Sequence, residues 1–70
     1  MSFKILCIVL YDHRFMNKLF ENAVNLHKQD TIIDYRQFNN GIQIICNKDN
    51  LEGIKYQMSN GIDCQLIFKN

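Results

Sequence analysis

The chain has no proline, only three glycines and only three cysteines in its 70 residues. Without proline there is no Pro-rich linker, and no run of low complexity divides the sequence. The three glycines, Gly41, Gly53 and Gly61, lie too far apart to form a Gly-rich phosphate loop. Cys7, Cys46 and Cys64 are odd in number and widely spaced, and each sits within an apolar run. That is the pattern of free buried thiols in a reducing compartment rather than of a disulfide framework. There is no Cys-x-x-Cys pair, and His13 and His27 stand 14 positions apart, so no metal-ligand spacing is present and no metal or other cofactor is expected.

Charge of one sign is also lacking. Eight Lys and Arg against seven Asp and Glu give a net charge of +1, with no basic stripe to attract a phosphate backbone. Nucleic acid is therefore an unfavoured partner. No apolar run approaches the length of a membrane span. The opening MSFKILCIVL is too short and too lightly charged for a signal peptide and runs straight into folded-looking sequence. The expected compartment is the cytoplasm, of the cell or of a host. The abundance of Ile, Asn and Lys suits an AT-rich genome, many phages among them.

What is present reads as one small domain, residues 1–70. Phe3–Tyr11 is almost continuously apolar and rich in β-branched residues, as in a strand buried on both faces. The period then changes. Phe15, Met16, Leu19, Phe20, Ala23, Val24 and His27 share one face of a helix, with Arg14, Lys18, Glu21, Asn22, Asn25 and Lys28 on the other. TIIDYRQF and IQIICN flank Asn39-Asn40-Gly41, a strong hairpin signal. A three-residue loop would pair Phe38 with Ile42. A two-residue Asn40-Gly41 turn would pair Asn39 with Ile42 and set Tyr35 opposite Cys46. The second is favoured, because it groups Ile33, Tyr35, Ile42, Ile44 and Cys46. Asp49 and Glu52 form a capping-box variant before a short helix to about Asn60, with Leu51, Ile54 and Met58 on its inner face and Gly61 as its left-handed stop. Ile62–Lys69 alternates as a half-buried strand.

The order β-α-β-β-α-β predicts an α+β ferredoxin-like two-layer sandwich, a four-stranded antiparallel sheet with both helices on one face. Such a sheet leaves its other face open. Either Ile5-Cys7-Val9 or Leu6-Ile8-Leu10 must lie there. The candidate interaction face is Ile32, Arg36, Phe38, Ile45 and Ile67, rimmed by Asp34, Gln43, Asp63, Gln65 and Lys69. A contiguous exposed apolar patch marks an interface; the plainer alternative is a central sheet whose long side chains cover one another. Strand three, GIQIICN, carries no aromatic, so it lacks the base-stacking platform of RNA-recognition modules.

Asp12-His13-Arg14, at the end of strand one, is the one polar cluster that could serve as a site. Helix-start amides with an arginine suit an anion, and a carboxylate there could hold Mg²⁺. The stretch Ile8-Val9-Leu10-Tyr11-Asp12, followed by Arg14 and a Lys18-Leu19 helix, resembles the opening of the Cas2-like and VapD-like ribonuclease families. The resemblance implies a ferredoxin-like core and a metal site at Asp12 shared across a dimer. TIIDYRQF, however, stands where those families carry a Ser-Val-Phe-Glu-type second strand. The simpler expectation is that Asp12 caps the helix and that no residue is catalytic.

With no catalytic constellation, surface is what remains. The leading expectation is a small non-enzymatic interaction protein, an inhibitor or regulator of phage or mobile-element type. It would bind a protein partner or form a homodimer through the open sheet face. The small metal-dependent ribonuclease is the alternative.

Overall fold

The computed structural model describes residues 2–69. Met1 and Asn70, the two ends of the expected single domain, lie outside the described residues. The elements are β1 (Phe3–Leu10), α1 (Met16–Lys28), β2 (Asp34–Phe38), β3 (Gly41–Asn47), α2 (Leu51–Ser59) and β4 (Cys64–Lys69). A single 3-10 turn leads into each helix, His13–Phe15 before α1 and Lys48–Asn50 before α2. The strands form one antiparallel sheet in the order β2-β3-β1-β4. This is the ferredoxin-like α+β two-layer sandwich, with the apolar β1 and Ile-rich β3 at its centre.

Alternation along the strands sends one set of side chains under the helices. Leu6, Ile8 and Leu10 from β1 meet Ile42, Ile44 and Cys46 from β3, all buried. The helices cover them with Met16, Leu19, Ala23 and Leu26 from α1 and with Ile54 and Met58 from α2. The buried stripe of α1 thus follows a three-four-three spacing. It includes Leu26, which the expected face omitted, and leaves Phe20 exposed at the rim. Phe20 and His27 instead meet the ring of Tyr35 edge-on, with centroids 5.7 and 5.4 Å away. Tyr35 closes that side of the core.

The hairpin register differs from both expected versions. Phe38 pairs with Gly41, Gln37 with Ile42 and Tyr35 with Ile44, so the two-residue turn is Asn39-Asn40. Gly41 belongs to β3 because β1 runs against it. Its neighbour Asn40 accepts a 2.6 Å hydrogen bond from the Leu10 amide, and a Cβ on Gly41 would overlap the Ile8 carbonyl. The favoured register was two residues out. An even slip preserves which side chains share a face, so Tyr35, Ile42, Ile44 and Cys46 still lie together.

Ile33 does not join them; it precedes β2 and is half exposed. Its amide donates to the Ile45 carbonyl at 2.8 Å. Before α2, the cap is Asn47, whose side-chain oxygen accepts from the Asp49 amide at 3.0 Å, rather than Asp49 itself. Gly61 takes the left-handed conformation expected of it, at φ +76°.

Candidate functional site

Three rows cross the open face of the sheet. The first runs Asp34, Ile45, Ile5, Lys69 from β2 to β4. Next comes Arg36, Gln43, Cys7, Ile67, and then Phe38, Gly41, Val9, Gln65. Of the two possible faces of β1, Ile5-Cys7-Val9 is therefore the open one. Ile5, Val9 and Ile45 are half-buried by their neighbours, whereas Phe38 and Ile67 each leave 37% of their surface in water. No helix among the described residues covers this face.

Four of the five expected interaction residues, Arg36, Phe38, Ile45 and Ile67, stand on it together. Ile32 does not. It is 3% exposed and belongs to the core cluster. Its position is even, like Asp34 and Arg36, and continued alternation would have placed it on the open side. Residues 31–33 form a bend rather than a strand, so the period-two rule stops short of it. The Thr31 amide returns to the Leu26 carbonyl at 2.9 Å, and the chain enters the sheet from beneath α1.

Phe38 and Ile67 flank a shallow depression of about 320 Å³, floored by Cys7, Val9 and Gln43 and edged by Arg36 and Lys69. Cys7 and Val9 were placed on one of two candidate faces, but the depression between the edge strands has no signature in the sequence.

The Asp12 cluster has a different geometry. One Asp12 oxygen accepts from the Arg14 amide at 2.9 Å and the other from Arg14 Nε at 2.7 Å. These bonds, backbone first, hold the Asp12 carboxyl below its ordinary pKa, with the charge of Arg14 and then His13 adding to them. His13 turns away, its Nε2 donating to the Asn39 carbonyl at 2.8 Å and tying the start of the helical segment to the β2–β3 turn. Asp12 is thus the cap of the strand-to-helix junction. Both of its oxygens face a guanidinium or an amide, a surrounding that competes with a cation. Among the described residues, no three His, Cys, Asp or Glu side chains converge as metal ligands would.

Nor do the thiols form a reactive centre. All three are free. Burial pushes the Cys46 and Cys64 thiols up, the latter helped by Asp63, which lowers the thiolate fraction that could act as nucleophile. Tyr56 stands exposed on α2, away from the open face.

Fold and surface together define a ferredoxin-like sandwich with an uncovered apolar sheet face. No family model matches the chain, and no curated protein or solved structure matches it either. No helix among the described residues is long and apolar enough to cross a membrane.

Proposed function

We propose that this chain is a small non-enzymatic interaction protein that works through the open face of its sheet. It acts as an inhibitor or regulator of a macromolecular partner or by self-association. The observation that carries this reading is the uncovered row structure itself. Phe38 and Ile67 rise beside a floor of Cys7, Val9 and Gln43, between the edge charges Asp34, Arg36 and Lys69. An apolar centre with a charged rim is the anatomy of a docking surface. A phage- or mobile-element-encoded regulator acting in the cytoplasm suits the size and composition.

Ile45→Asp and Ile67→Asp test this reading. Each places a carboxylate in the apolar centre, where burying it against another molecule is costly. Loss of self-association and of partner binding, with far-ultraviolet circular dichroism unchanged, is the expected result. Unchanged binding in both variants would remove the open face from the function.

A further inference from the structure

We propose that the open face receives a second copy of this chain, packed sheet against sheet about a two-fold axis parallel to the strands. This rests on the reading above and names its partner. The charges on the three rows select this arrangement.

A two-fold axis between facing sheets, along the strands, lays the outer strand β2 of one protomer over the outer strand β4 of the other. It also lays the inner strand β1 over the inner strand β3. In the first row, Asp34 then faces the partner's Lys69, and Ile5 faces the partner's Ile45. By symmetry the ion pair forms twice, once at each edge, around an apolar middle. The second row sets Arg36 against the partner's Ile67, where its stem can lie on the apolar side chain with the guanidinium at the rim. An axis across the strands, through the middle row, instead opposes Arg36 to its own copy. It sets Asp34 against Phe38, and no opposite charges meet. Like charges placed face to face disfavour that arrangement. The strand-parallel axis alone of the two matches sign to sign.

Aligned sheets pack about 10 Å apart with a relative rotation of roughly 30°. Over the half-width of this small sheet, that rotation displaces the edges by about one residue, within the reach of a lysine side chain. Four strands about 4.8 Å apart, with about six residues each, give a face of roughly 400 Å² in projection. That is below the roughly 800 Å² per partner of a standard interface. The dimer is accordingly one that dissociates on dilution.

Charge reversal tests the axis with the fold intact, because Asp34 and Lys69 are both exposed. Asp34→Lys and Lys69→Asp are each expected to weaken dimerisation about tenfold or more in sedimentation equilibrium. The double variant is expected to restore it to within about threefold. In a mixture of isotope-labelled and unlabelled protein, a zero-length carbodiimide should join Asp34 of one chain to Lys69 of the other. A double variant that stays as weak as the single ones overturns the strand-parallel axis. A wild-type protein that is monomeric at every concentration overturns the second copy, while the docking reading stands for a different macromolecule. A dimer indifferent to these reversals and to Ile67→Asp, as edge-to-edge pairing through β4 would be, overturns this proposal and removes self-association from the face.

Discussion

Gly41 has no room for a side chain, because the carbonyl oxygen of Ile8 stands where its Cβ would be. The glycine of the Asn-Asn-Gly stretch thus lets two central strands approach rather than supplying a turn conformation, and its φ is not positive. Gly41→Ala should push β3 away from β1 and destabilise the fold by about 3 kcal/mol or more, at the upper end of what overpacking costs. Gly53 is the opposite case, on the exposed side of α2 with nothing within 4 Å of an added Cβ. Gly53→Ala should stabilise by roughly 0.5–1 kcal/mol. Urea denaturation of the two variants, expected to move in opposite directions, checks both.

The junction at Asp12 should show itself at low pH. Its folded-state pKa is depressed, chiefly by the Arg14 amide and then by the Arg14 side chain. The contribution to stability is therefore present above the unfolded-state value and is lost as pH falls through the folded one. The denaturation midpoint of the wild type should fall more steeply below about pH 4 than that of Asp12→Asn, which has no charge to titrate there. Parallel curves for the two proteins would deny Asp12 this role.

Most of the fold was legible in the sequence because its signals are local. The helix period from Phe15, the apolar run of β1 and the alternation of β4 each depend on neighbouring residues alone. The hairpin register was not legible, because it depends on β1. The close approach of Ile8 to Gly41 goes with Gly41 lying in β3 and the turn lying at Asn39-Asn40. Ile32 was misplaced for a related reason, since alternation gives no sign of where a strand begins. The open face was legible as a pattern of faces, with Phe38, Ile45 and Ile67 correctly grouped. The depression beside Phe38 was not, since it needs Phe38 and Ile67, distant in sequence, to flank the same stretch of β1.

The cysteines should behave as buried thiols. Cys46 has no solvent exposure and Cys7 is 6% exposed, whereas Cys64 is half-buried on the edge strand β4. In the native protein near neutral pH, an aromatic disulfide reagent should label Cys64 first and slowly. Cys46 should react only as the chain unfolds. Rapid labelling of Cys46 under native conditions would mean that β3 is accessible.

The hydrogen bond from His13 to the Asn39 carbonyl bridges 26 positions of sequence on the protein surface. Exposed and single, it should contribute on the order of 0.5–1 kcal/mol. His13→Ala should lower stability by that amount and speed amide exchange in the β2–β3 turn, read by hydrogen–deuterium exchange, while leaving α2 unaffected.

The most direct measurement is solution mass by light scattering across a dilution series, for the wild type and for Ile67→Asp. If the open face binds a second copy, the wild type should fall from twice the chain mass of 8.3 kDa towards that value on dilution. Ile67→Asp should remain near the single-chain mass throughout. A wild type that stays at 8.3 kDa at every concentration, or an Ile67→Asp curve that overlays the wild-type dimer, would contradict self-association through this face.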